Sequence, residues 1–164
     1  LDQAVVRFDH PLAERLRPDA TLLINPYLGS TYQLKYVLPP RWWHALLHPF
    51  LRYAVHPGTL PVNRPEGRDE IVSYRVVPAS IFAELFELSD RARHAEPPQS
   101  PLLVMISEED DTASSAATRR WIQRFGSEDV QIESYPRSNH VLLLDYERKE
   151  ATDRIVQFLE RAAR

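Results

Sequence analysis

Hydrophobic positions along this chain follow two rhythms. Residues 102–106 (Leu-Leu-Val-Met-Ile) are apolar at every position and bounded by turn residues, the pattern of a strand buried on both faces. Residues 21–24 read as a short buried strand ended by Asn25-Pro26, and residues 130–135 as a third strand. Elsewhere apolar residues return at helical spacing. Ile81, Phe82, Leu85, Phe86 and Leu88 predict a helix over 78–93, with Pro78 at its start. Ala117, Trp121 and Phe125 stand four apart and predict a helix over 112–125, with Gly126 as its C-cap. Ala151, Ile155, Phe158, Leu159 and Ala162 form one stripe of a last helix over 145–164, on which Glu147, Arg148, Lys149 and Glu150 are solvated. The strand–helix–strand order, with right-handed crossovers, predicts an α/β fold of about three parallel strands flanked by helices.

The stretch between the first two strands is less regular. Eight of the 14 prolines fall between Pro26 and Pro78, a density that breaks elements into short pieces. A helix is expected over 40–53, with Trp42, Trp43, Leu46, Leu47, Phe50 and Leu51 on one face and a kink at Pro49. An irregular loop over 53–69 and a short extended piece over 71–76 follow. Residues 1–17 hold a helix remnant and a short helix over 11–16.

Charge and composition remove several function classes. A formal charge of −3 is wrong for non-specific nucleic-acid binding, which needs a basic surface. No apolar run approaches the roughly 20 residues needed to span a bilayer, so no membrane partner is expected. The absence of cysteine excludes disulfides, thiol catalysis and cysteine-based zinc sites. His44 and His48 are four apart, but Trp43 and Ala45 flank His44 and no His-Glu-x-x-His pattern forms, so no metal is expected. His10, His56 and His94 read as solvated loop residues. No secretory signal pattern opens the chain. The compartment stays unassigned, with a soluble, cytoplasmic location favoured. The only methionine is Met105, and a chain that starts at Leu1 reads as a piece of a longer polypeptide.

The candidate chemistry lies at two strand ends. Asp110 and Asp111 follow the strand at 102–106, and Ser138-Asn139-His140 follows the strand at 130–135. Loops at the carboxyl ends of parallel strands are where α/β proteins place their chemistry. Two consecutive strands can thus deliver an acid and a histidine to one sheet edge. There the carboxylate orients the imidazole and stabilises its charged form. The competing readings are an aspartate that caps the helix at Thr112, and a surface turn histidine.

The order strand, Ser-Glu-Glu-Asp-Asp-Thr, helix, strand, Ser-Asn-His-Val-Leu-Leu-Leu-Asp, helix resembles the C-terminal part of an α/β-hydrolase. It is most similar to the carboxylesterase and monoacylglycerol-lipase-like serine hydrolases. In that superfamily the triad runs Ser, then Asp, then His along the chain. The resemblance implies Asp110 as the acid, three residues after Ser107, with Asp111 the runner-up, and His140 as the base. It implies no cofactor and an ester or lipid-like small-molecule substrate. It also implies a partial core of 1–29 and 79–164 with a cap-like helical insertion over 30–78. An aromatic cap helix would suit an acyl pocket, and its Trp42-Trp43 pair could touch a membrane. Core packing of a small helical insertion is the competing reading of that helix. The chain departs from the family with Ser107 and Asn139, where glycine is usual.

The nucleophile is missing. The four glycines, Gly29, Gly58, Gly67 and Gly126, form no Gly-x-Ser-x-Gly, and the family's N-terminal oxyanion segment has no counterpart. The resemblance therefore covers the half that follows the nucleophile, and the isolated chain is expected to be inactive. A non-catalytic remnant serving as a binding or assembly module is the alternative, and a split enzyme a third reading. A strand at 21–24 that begins the sheet leaves an open edge. A missing N-terminal half, a partner chain or self-association must cover it.

Overall fold

The computed structural model describes residues 18–31, 42, 46, 52–55, 60–72, 74, 76–95, 98, 100–125 and 130–163. Three parallel strands form the main sheet: β1 (Thr21–Ile24), β4 (Leu102–Ser107) and β5 (Val130–Tyr135), in the order β1-β4-β5. Thr21 is opposite Leu102, and Leu102 is opposite Val130, so the register runs level across the sheet. Among the described strands, β1 and β5 are its edges.

Strand β4 is the centre, and every one of its residues is buried. Its unbroken apolar run has a simple cause, because successive side chains point to opposite faces. Leu102, Val104 and Ile106 join Leu23, Leu28, Trp121 and Ile122 on one face. Leu103 and Met105 join Tyr135, Leu142, Ala151 and Phe158 on the other. The first cluster is closed by α3 (Ser115–Ile122), the second by α4 (Arg148–Ala162). Helix α2 (Ser80–His94) reaches the first cluster at its end, where Trp121 Nε1 donates to the Ala92 carbonyl at 3.1 Å. Trp121 also meets Phe125 edge to face, with ring centroids 4.4 Å apart.

The three main strands stand where the hydrophobic pattern puts them, with β4 one residue longer. The helix starts differ. Helix α2 begins after Pro78, because Pro78 closes β3 (Val76–Pro78) opposite Tyr53. Helix α3 begins at Ser115, three residues later than expected. Thr112, Ala113 and Ser114 are held instead by the loop after β1. Thr31 N–H donates to the Thr112 carbonyl, Thr31 Oγ1 to the Ala113 carbonyl, and Ser114 N–H to the Gly29 carbonyl. Ser114 then caps α3 by accepting from Ala117 N–H. Before α4, residues 142–144 form a 3₁₀ turn and Asp145 is fully buried, so the expected helix start at 145 is corrected to 148.

The intervening stretch also needs correction. Residues 53–69 are not one irregular loop. They include β2 (Tyr53–Val55), antiparallel to β3, and α1 (Pro65–Glu70), with proline in its first turn. The extended piece expected at 71–76 lies later, at Val76–Pro78, where it finds β2 as its partner. Tyr53, Val55 and Val76 share one face of this ribbon and are 65%, 74% and 53% exposed. Trp42 and Leu46 are helical and exposed. The other residues of the helix expected at 40–53 up to Leu51, the elements expected in 1–17, and the Gly126 cap lie outside the described residues.

Candidate active site

Asp110 reaches its place through the turn that ends β4. Ser107 is level with Tyr135, and Glu108 N–H donates to the Tyr135 carbonyl at 3.0 Å, so the turn starts beside the end of β5. Asp110 Oδ1 accepts from the backbone N–H groups of Thr112 (2.8 Å) and Ala113 (2.7 Å). The Asp110 carbonyl lies 3.0 Å from Thr31 Oγ1 and shares that hydroxyl's single proton with the Ala113 carbonyl. One carboxylate oxygen thus anchors the turn, and Oδ2 is left to face His140 Nδ1 at 2.8 Å. The capping reading and the acid reading describe the two oxygens of one side chain.

The pair is sheltered, with side-chain exposures of 17% for His140 and 3% for Asp110. An ionised carboxylate can only accept, so Nδ1 carries the proton and donates to Asp110. In the neutral ring Nε2 then holds the free lone pair. No hydrogen bond reaches Nε2 among the described residues.

The histidine turn is held by its neighbours. Asn139 Oδ1 accepts from His140 N–H (2.7 Å) and Asp111 N–H (3.2 Å), so the residue that replaces the usual glycine ties the two turns together. Asn25 Nδ2 donates to the His140 carbonyl at 2.7 Å. Val141 N–H donates to the Pro61 carbonyl at 3.1 Å. Ser138 is buried, and its hydroxyl donates to Glu147 Oε2 at 2.7 Å. Ser114 is the α3 cap and Ser115 the first helical residue.

Asp145 is the hub beneath this turn. Its Oδ2 accepts from Asn63 N–H and Asn139 N–H, each at 2.8 Å. Its Oδ1 accepts from Arg64 N–H and Tyr146 N–H, also at 2.8 Å. Four backbone donors from three chain segments therefore converge on one buried carboxylate. Asn63 Oδ1 in turn accepts from Asn139 Nδ2 at 3.2 Å.

The structure brings Asp110 to His140 and leaves Asp111 aside. Asp111 is exposed, and its Oδ1 accepts from Thr112 Oγ1. His94 is the last residue of α2, exposed, with Nδ1 2.7 Å from the Asp90 carbonyl, and not a loop residue. His10, His44, His48 and His56 lie outside the described residues. Among the described residues no cluster of three potential metal ligands occurs, and no helix is long and apolar enough to cross a membrane. Sequence reading missed Asn25, Asn63, Asp145 and Glu147. Glu147 is buried rather than solvated, because the Ser138 hydroxyl and Arg137 N–H satisfy its carboxylate. The available signal was an aspartate five residues after the histidine, just where a helix should begin.

Parallel strands flanked by helices, with an acid and a histidine at adjoining carboxyl ends, define part of an α/β-hydrolase core. A family profile described as serine aminopeptidase, S33, matches residues 18–147, and the chain belongs to that family. Solved structures share the fold. One, from work on the metagenome-derived lipolytic enzymes LipS and LipT, is 17% identical with a TM-score of 0.73, covering 91% of this chain and 58% of its own. The monoacylglycerol lipase of Paleococcus ferrophilus is 16% identical with a TM-score of 0.67, covering 89% and 60%. A soluble variant of the Saccharomyces cerevisiae monoglyceride lipase, solved with a substrate analogue, is 13% identical with a TM-score of 0.67, covering 86% and 55%. The chain thus spans between 55% and 60% of the length of these structures.

Proposed function

We propose that this chain supplies the acid and the base of a serine ester hydrolase whose nucleophile lies outside residues 1–164. The observation that carries this reading is the 2.8 Å contact of His140 Nδ1 with a carboxylate that backbone donors already hold in place. In the proposed reaction a serine hydroxyl attacks the ester carbonyl while His140 Nε2 accepts its proton. Asp110 stabilises the imidazolium so formed. His140 then returns the proton to the departing alcohol. In the second half a water attacks the acyl-enzyme while His140 takes its proton, and His140 then gives that proton to the departing serine oxygen as the acid is released. The chemistry calls for no cofactor.

The substrate class proposed is a short acyl or lipid-like ester. Three similar structures belong to proteins described as lipolytic or as monoacylglycerol lipases, which supports an ester over the peptide bond that the family description suggests. Residues 1–29 and 79–164 are proposed as the core and 30–78 as a cap over the acyl group. The exposed apolar face at Tyr53, Val55 and Val76 fits such a role. One observation favours the alternative of a binding or assembly module, namely the missing Gly-x-Ser-x-Gly.

The test is hydrolysis of a series of aryl acyl esters. The 164-residue chain alone is expected to be inert. A polypeptide that joins it to its Gly-x-Ser-x-Gly segment is expected to be active, with His140→Ala losing roughly 10⁴-fold or more. Equal rates with and without His140 would refute the reading, and no activity in either form would support the non-catalytic module.

A further inference from the structure

We infer that Asn25 is a positioning residue that fixes the Asp110 turn and the His140 turn relative to each other. The inference rests on the reading of His140 as the base. Asn25 follows β1, so it belongs to neither turn. Its side-chain amide nevertheless bonds to the last residue of β4, which leads into the first turn, and to the second turn directly. Oδ1 accepts from Ser107 N–H at 2.7 Å, and Nδ2 donates to Ser107 Oγ at 2.9 Å. That holds the residue from which the Asp110 turn departs. The same Nδ2 donates to the His140 carbonyl at 2.7 Å and lies 3.5 Å from the Asn139 carbonyl. One planar amide therefore braces two backbone segments that also meet through Asn139 Oδ1 and through the Asp110–His140 contact.

Three further features single this residue out. Asn25 is buried, at 6% exposure. Its φ is 44°, and among the described residues it is the only non-glycine with a positive φ. Left-handed backbone is disfavoured for most side chains but accessible to asparagine, and strain of this kind persists where the surroundings over-determine it. The backbone is held there as well, since Asn25 N–H donates to the Met105 carbonyl at 3.0 Å. The left-handed turn swings the side chain across the end of β4 toward the histidine turn. Ser107, in place of the family's usual glycine, supplies a hydroxyl that receives the amide. Small displacements of an acid–base pair can cost about 10²-fold in rate, so a brace of this kind acts directly on catalysis.

The test uses the 164-residue chain with ¹⁵N-labelled histidine imidazoles, His140 being assigned by comparison with His140→Gln. The wild type is expected to show His140 as the Nδ1–H tautomer, with a strongly deshielded, slowly exchanging ring proton. Asn25→Gly keeps the left-handed backbone and removes every side-chain bond. It is expected to lose that proton signal while the far-ultraviolet circular dichroism is unchanged. Asn25→Asp keeps the acceptor for Ser107 N–H, lacks the donor to the His140 carbonyl, and is expected to lose the signal too. It decides the question if Asn25→Gly does not fold. Ser107→Ala removes only the hydroxyl and is expected to keep the signal. Retention of the signal in the folded Asn25 variants would overturn the inference. Equal loss in Ser107→Ala would overturn it as well, because the effect would then be a general loosening of the strand end. In the polypeptide with its nucleophile, Asn25→Gly should lower kcat at least tenfold with little change in KM. If His140→Ala proved harmless there, the hydrolase reading would fail while the resonance measurement still decided the role of Asn25.

Discussion

Asp110 and His140 stand 30 positions apart in the chain, and their Oδ2 and Nδ1 atoms lie 2.8 Å apart. The cause is the level register of β4 and β5, which ends both strands at the same edge, Ser107 beside Tyr135. Asp110 serves two masters. Oδ1 anchors the start of the α3 segment and Oδ2 orients the imidazole. The two jobs separate by substitution. Asp110→Asn can keep the Oδ1 acceptor while presenting an amide to Nδ1, so in the polypeptide that carries the nucleophile it should cost on the order of 10⁴-fold in kcat with little loss of stability. Asp110→Ala loses the backbone anchor as well and should also cost about 1–2 kcal/mol in urea denaturation. Equal stabilities for the two variants would contradict the dual role.

Asp145 should be among the most sensitive positions in the molecule. Four backbone N–H groups depend on its carboxylate. Asn at this position turns a donor toward groups that also donate. Asp145→Asn is expected to destabilise the chain by about 3 kcal/mol, since leaving buried polar groups unsatisfied costs roughly 1–3 kcal/mol each. Chemical denaturation checks this, with Asp153→Asn on the exposed face of α4 as a control expected to change little.

Gly67 in α1 is required by close approach. A Cβ there would lie 2.1 Å from the Leu144 carbonyl oxygen and 2.8 Å from Val62 Cγ1. The carbonyl belongs to backbone that cannot yield without moving the 3₁₀ turn before Asp145. Gly67→Ala should therefore cost about 2 kcal/mol or more, despite alanine's better helix propensity. A stabilised Gly67→Ala in thermal unfolding would show that α1 does not pack on this turn.

Tyr135 gives a dependence on alkaline pH. Burial, and then the charge of Glu133, push its phenol up from 10.0 to about 12. The folded chain therefore holds this proton more tightly than the unfolded chain. The stability it confers is complete below pH 10 and is lost as pH rises through about 12. Tyr135→Phe should show a shallower fall in denaturation midpoint across this window. An identical slope would refute the assignment.

The sheet was legible because β4 is buried on both faces and so carries an uninterrupted apolar run. Helices α2 and α4 were legible through spacing. Their starts were not, because Pro78 pairs with Tyr53 and Asp145 is consumed by backbone donors from distant segments. Short strands such as β2 and β3 carry little signal of their own, since each exists only through its partner. The same division holds at the site. Asp110 and His140 were legible from their places after two strands. Asn25 and Asp145 act by bonding to backbone groups elsewhere, and a backbone group has no letter in the sequence.

The most direct test of the account is fluorophosphonate labelling of the polypeptide that carries these 164 residues together with its Gly-x-Ser-x-Gly segment, followed by mapping of the labelled residue. A label is expected on a serine outside residues 1–164, lost in His140→Ala and strongly reduced in Asp110→Asn. A label on any serine within residues 1–164, or one indifferent to His140, would contradict it.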